Sequence, residues 1–118
     1  MKKFIVSAIA IMSASAAFAG NLSVVDQIGA GNAQGTFQAG DFNSAFTGQL
    51  GVANGSITIQ DGLGNGASTV QIGAGNTSLT DQLGALNSAS TTQAGVNGHV
   101  SDTQQAGVGN VSVTVQTD

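Results

Sequence analysis

Glutamine recurs at a fixed interval along the chain. It stands at Gln27, Gln38, Gln49, Gln60, Gln71, Gln82, Gln93, Gln105 and Gln116, each eleven residues after the last except for a step of twelve between Gln93 and Gln105. Two places after it stands glycine: Gly29, Gly40, Gly51, Gly62, Gly73, Gly84, Gly95 and Gly107. Five places after it stands asparagine: Asn32, Asn43, Asn54, Asn65, Asn76, Asn87 and Asn110. The missing asparagine falls in "VNGHV", where the extra residue lies and Asn97 comes one place early. Threonine precedes the glutamine by two in every unit but the first, which has Val25, and Ser or Ala precedes it by four except at Gln34. Self-similarity at a fixed period is the signature of a repeat architecture. A disordered polar chain has no reason to hold five columns in step.

The constant columns at −4, −2, 0 and +2 share one parity. In a strand, alternate residues point to one face. Each unit therefore reads as a strand with a Ser/Ala-x-Thr-x-Gln-x-Gly face, and the opposite face varies freely. A helix is disfavoured by the glycine density and by a threonine in nearly every unit. We assign the constant face to the interior, because only there does each unit meet its copies in a fixed environment. The glycines at +2 and the asparagines at +5 bracket the turn, since both residue types tolerate positive φ. Two strands and two turns make a rung of 22 residues, and nine strands make four and a half rungs. The predicted fold is all-β, a short β-solenoid with rungs stacked about 4.8 Å apart. Glutamine then lies over glutamine, Gln27, Gln49, Gln71, Gln93 and Gln116 on one wall and Gln38, Gln60, Gln82 and Gln105 on the other. Stacked amides can bond up and down in a ladder, and the asparagines are expected to stack likewise.

The first 19 residues stand apart. "MKKFIVSAIAIMSASAAFAG" has two lysines, an apolar run from Phe4 to Met12, and Ala17-Phe18-Ala19 before Gly20. That is the plan of a secretory signal peptide of bacterial style, too short in its apolar run to span a membrane stably. The expected division is a signal peptide over 1–19 and one solenoid domain over 20–118. Residues 20–118 contain no Lys, Arg, Glu, Cys, Met, Pro, Trp or Tyr. Their charges are Asp26, Asp41, Asp61, Asp81, Asp102 and Asp118, with His99 the one imidazole. An acidic chain is a poor partner for nucleic acid or anionic membranes. No disulfide can form, and one histidine with no cysteine makes no zinc set. The "GAGN" and "GLGNG" stretches lack the lysine of a phosphate loop. No catalytic arrangement emerges and no cofactor is implied, so the expectation is a non-enzymatic protein.

The spacing Q-x-G-x-x-N-x-A-x-x-x-Q resembles the repeat of the curlin family. "QAGDFNSAFTGQ" (38–49), "QDGLGNGASTVQ" (60–71) and "QLGALNSASTTQ" (82–93) match it at every fixed position. The other units put Ser or Gln in place of Ala. The resemblance implies a secreted bacterial subunit of a curli-like functional amyloid fibre, serving adhesion and biofilm matrix. It further implies partners: further copies of the chain, other curlin subunits and a curli-type secretion apparatus. Major curlins tend to carry Ser where alternate units here carry Asn, a likeness to the minor, nucleating subunit. That subunit tends to carry basic residues, and 20–118 has none, so the major-subunit role is the leading expectation and the nucleator the alternative. The resemblance also implies a Gly-rich targeting segment, whereas here the repeats begin at "GNLSVVDQIG". An ice-binding solenoid would share a regular threonine column but should carry it outward. Each end of the predicted stack is an open strand edge, with no Pro or Lys to guard it.

Overall fold

The structure, a computed structural model, describes residues 20–118; the segment assigned as a signal peptide lies outside the described residues. Among those residues the chain runs through strands β1 (Leu22–Ala30), β2 (Ala33–Asp41), β3 (Ser44–Val52), β4 (Gly55–Leu63), β5 (Gly66–Ala74), β6 (Thr77–Ala85), β7 (Ser88–Gly95), β8 (Val100–Val108) and β9 (Val111–Thr117). Odd strands form one parallel sheet, ordered β1-β3-β5-β7-β9, and even strands a second, ordered β2-β4-β6-β8. Each strand pairs with the next but one, so the chain coils as a β-solenoid. The register places Gln27 beside Gln49 and Gly29 beside Gly51, a step of 22 residues. Past the inserted residue the step becomes 23, with Gln93 beside Gln116 and Gln82 beside Gln105. The extra residue is absorbed in the turn between β7 and β8, and both sheets stay in register across it.

The interior is polar, as the parity of the columns requires. In β3 the buried residues are Ala45, Thr47 and Gln49, while Ser44, Phe46 and Leu50 are exposed. The fully hidden side chains include Gln60, Gln71, Gln82, Gln93 and the asparagines from Asn43 to Asn87. Among the described residues the buried apolar ones are Ala45, Ala67 and Ala89, and large ones such as Phe37, Ile57 and Leu83 face outward. Little oily surface is therefore removed from water. Cohesion must come from hydrogen bonds, each worth about 0.5–1.5 kcal/mol net when made and about 1–3 kcal/mol against the fold when a buried group is orphaned. That asymmetry holds the columns constant. One changed letter strands partners in the rungs above and below.

The turns are rungs too. The Asn54 carbonyl accepts the Ala33 N–H at 2.8 Å, the Asn65 carbonyl accepts that of Ser44 at 2.8 Å, and the Ala30 carbonyl accepts that of Ala53 at 2.9 Å. The corners therefore carry backbone hydrogen bonds from rung to rung, as the walls do.

Candidate assembly site: the amide ladders and the open ends

Each column glutamine points inward from the middle of its strand. Gln49 Nε2 donates to Gln71 Oε1 at 2.7 Å, Gln71 to Gln93 at 2.8 Å, and Gln93 to Gln116 at 2.8 Å. Gln27 begins that column, donating to Gln49 at 2.5 Å. On the other wall Gln38, Gln60 and Gln82 donate to Gln60, Gln82 and Gln105, each at 2.8 Å. The second amide hydrogen crosses the interior. Gln71 Nε2 donates to the Gly55 carbonyl at 2.9 Å and Gln82 Nε2 to that of Gly66 at 3.0 Å, each at the start of the preceding strand on the facing wall. A carbonyl can only accept, so this contact fixes which end of each amide is NH2. The column glutamines from Gln27 to Gln93 therefore all point a hydrogen the same way along the stack. The ladders have a direction, and they tie the two sheets together.

The asparagines also stack, but by a different scheme from the expected amide-on-amide ladder. Asn54 Oδ1 accepts the backbone N–H of Asn76 at 3.1 Å, and its Nδ2 donates to the Gly73 carbonyl at 3.1 Å. Asn65 does the same with the Asn87 N–H at 3.0 Å and the Gly84 carbonyl at 3.0 Å. Their side chains clamp the next turn's backbone, because the corner leaves that N–H and that carbonyl facing inward. Amide-to-amide bonds survive at Asn54 to Asn32, 3.3 Å, and Asn110 to Asn87, 3.0 Å. Two members were not foreseen. Asn21 Oδ1 accepts the Asn43 N–H at 2.8 Å, and Asn21 could have been found by running the column back one step. The disturbed place belongs to His99, not Asn97: the His99 N–H donates to Asn76 Oδ1 at 3.1 Å.

The column glycines correct a second expectation. Gly29, Gly51, Gly73 and Gly84 lie within the paired strands rather than in the open turn, with φ between 119° and 134°. A Cβ at Gly51 would land inside the carbonyl of Gly73 one rung on. Here glycine is required by backbone-to-backbone approach as well as by positive φ. The tight corner sits two residues later. There Gly31, Gly64, Gly75 and Gly109 take φ of 66–71°, and Phe42, Ala53 and Leu86 take φ of 56–59° in the same column. The glycines of this column read from the sequence as the tip of the turn, whereas the three non-glycine residues that share its φ carry no such mark.

One part of the interior is not satisfied. The hydroxyls of Thr47, Thr69 and Thr91 on one wall, and of Ser56, Ser78 and Ser101 on the other, are buried without a hydrogen-bond partner. Like hydroxyls on successive rungs are set about 4.8 Å apart by the strand spacing, beyond hydrogen-bond reach for so short a side chain.

The two ends differ. At the β1/β2 end, the Oε1 atoms of Gln27 and Gln38 accept from no described residue, and both side chains are half-buried. At the β8/β9 end, Gln105 and Gln116 each use one amide hydrogen, on the Ser88 and Val100 carbonyls at 3.0 Å, and keep one spare. One end offers acceptors and the other donors. Beside β9, Asp118 takes the glycine's place in the column and turns its carboxylate back over Gly95, meeting His99 Nε2 at 3.2 Å and the Asn97 amide. Desolvation pushes the Asp118 pKa up, but the hydrogen bond and charge of His99, the Val96 backbone and Asn97 hold it below the usual carboxylate value. Among the described residues no cluster of His, Cys, Asp or Glu is placed to hold a metal ion. Asp61, Asp81 and Asp102 face outward on the even-strand wall, each in a separate column.

No family model matches the chain, and no curated protein matches it.

Proposed function

We propose that this chain is the secreted structural subunit of a curli-like extracellular fibre, growing by addition of copies along the solenoid axis. The observation that carries the reading is the pair of unfinished, complementary ends. Among the described residues, spare glutamine N–H groups stand at one, spare glutamine carbonyls at the other, and unpaired strand edges at both. An exposed edge is a template for pairing with another chain, and in-register stacking with amide ladders is the geometry of cross-β assemblies. The curlin-like repeats supply the biological setting: export from a bacterium, adhesion and biofilm matrix, with other curlin subunits and a curli-type secretion apparatus as partners. The major-subunit role is favoured over a nucleator, since residues 20–118 carry no basic residue. An ice-binding role lacks support, because the threonines of the regular column face the buried interior.

The test is to incubate residues 20–118 and follow thioflavin-T fluorescence, electron micrographs and fibre diffraction. The expected result is unbranched fibres with a reflection near 4.8 Å along the fibre axis. A chain that stays monomeric for days at high concentration would refute the reading. Substoichiometric amounts abolishing the lag of a second curlin, without elongation of the chain alone, would move the assignment to the nucleator.

A further inference from the structure

The described strands do not fill whole rungs, and this step dictates how a second copy must dock. The inference rests on the fibre reading above. One wall has five strands and the other four, so β9 stands one strand beyond β8. At the opposite end β1 and β2 close the two walls together. We propose that successive copies join head to tail with a half turn about the stack axis, in addition to the stack's own twist, so that the odd-strand wall of one copy continues as the even-strand wall of the next.

The geometry follows from the step. The incoming β1 fills the vacant place beside β9 and pairs with β8, setting its Gln27 on Gln105. The incoming β2 then covers β9, setting its Gln38 on Gln116. Both spare amide hydrogens meet the two spare carbonyls, in the sense every internal ladder already uses. At the turn, Asn110 Oδ1 meets the incoming Asn32 N–H, as Asn87 Oδ1 meets that of Asn110. The alternative, with β1 laid on β9 and no rotation, leaves a slot one strand wide above β8. Gln105 and the incoming Gln38 would then face across it without touching, since parallel neighbours must lie about 4.8 Å apart. The half turn also distributes the surface. Outward Val24, Phe46, Leu50 and Ile72 lie on the odd wall, and Asp61, Asp81 and Asp102 on the even wall. Each side of the fibre therefore alternates the two outward faces, one per subunit, so the Asp61, Asp81 and Asp102 carboxylates, which share the even wall with Phe37, Ile57 and Leu83, recur on opposite sides in successive copies.

Cysteine cross-linking distinguishes the two junctions, since the parent chain has no cysteine. With the half turn, outward Val115 on β9 neighbours the incoming Phe37; without it, Val115 neighbours the incoming Asp26. Both positions are exposed within one subunit, Val115 at 66% and Phe37 at 63%, and paired neighbours lie within disulfide reach. The full 20–118 chain is prepared as Val115→Cys/Phe37→Cys and as Val115→Cys/Asp26→Cys, assembled, and oxidised. The expected result is a ladder of covalent multimers from the first and monomer from the second, with each single-cysteine control also monomeric. Val113→Cys/Gly35→Cys reads the same junction in a second column, should the first variant assemble poorly. Ladders from the Asp26 pair alone overturn the half turn and leave the fibre reading standing. Fibres with no ladder from any pair overturn the end-to-end junction itself, and failure of the parent chain to form fibres overturns the reading beneath it.

Discussion

Truncating Gln71 to alanine removes a fully engaged side chain in the middle of the odd wall. Gln71 is 0% exposed; it accepts from Gln49 and donates to Gln93 and to the Gly55 carbonyl. Gln71→Ala orphans two groups, the Gln49 N–H and the Gln93 Oε1, while the Gly55 carbonyl keeps its place in the β4–β6 ladder. At about 1–3 kcal/mol for each orphaned buried group the raw loss is about 2–6 kcal/mol. A water drawn into the polar cavity recovers part of it, which brings the expected loss to about 2–4 kcal/mol. Against a total stability of about 5–15 kcal/mol for a small domain, that leaves a marginal fold. Gln27→Ala is the internal comparison. Gln27 is half-buried and its one bond to the column goes to Gln49, so its loss should be about 0.5–1.5 kcal/mol. Gln71→Leu restores volume without the bonds and should stay closer to Gln71→Ala than to the parent. Urea unfolding of dilute residues 20–118, followed by far-UV circular dichroism, reads the differences as shifts in midpoint at constant slope. Equal losses at Gln71 and Gln27, or a loss below about 1 kcal/mol at Gln71, would refute the reasoning that orphaned amides set the stability.

Other perturbations probe the remaining parts of the interior. Thr69→Val replaces a buried, partnerless hydroxyl by a methyl of like shape, so it should be neutral or stabilising by up to about 2 kcal/mol in the same urea assay, although it shares a face with Gln71. Ala53→Gly relieves an exposed residue held at φ 56° and should stabilise by about 1 kcal/mol or less, the left-handed penalty being partly offset by the added freedom of the unfolded chain. Of the three Asn-Gly pairs, Asn97–Gly98 in the irregular turn should deamidate first, its Gly98 nitrogen attacking the Asn97 side-chain carbonyl carbon with loss of ammonia. Asn54–Gly55 and Asn65–Gly66 should resist, since the Gly55 and Gly66 N–H groups are held by the Asn76 and Asn87 carbonyls at 2.8 Å. Peptide mass spectrometry after mild alkaline incubation tests this, and faster conversion at Asn54 or Asn65 would contradict it.

The parity of the columns carried most of the fold. Thr47, Gln49 and Gly51 share a face because a strand alternates, and a face that never varies while Phe46, Gly48 and Leu50 drift must be the one that meets its own copies. What periodicity could not carry is which atoms meet. It places Asn54 over Asn32 and under Asn76, but whether an amide bonds its twin or the twin's backbone depends on how the corner aims the N–H of Asn76 and the carbonyl of Gly73. Gln71's second bond, to Gly55, likewise needs the spacing between the two walls, which no column records. The left-handed corner was legible at Gly31, Gly64, Gly75 and Gly109, whose residue type permits it, but not at Phe42, Ala53 and Leu86, where residue type gives no sign of φ. His99 replaced the expected Asn97 for a simpler reason. The inserted residue could be placed at either side of Gly98, and only the register of β8 against β6 decides it.

Whether the glutamines are buried and bonded to one another can be read from hydrogen exchange of their side-chain amides, resolved by NMR. Gln104 and Gln105 are adjacent, and the fold points Gln104 to solvent and Gln105 inward. The side-chain hydrogens of Gln60, Gln71, Gln82 and Gln93 should exchange orders of magnitude more slowly than those of Gln104, with Gln105 between them. Exchange of all these glutamines at the rate of Gln104 would mean that the columns face water and that no ladder exists.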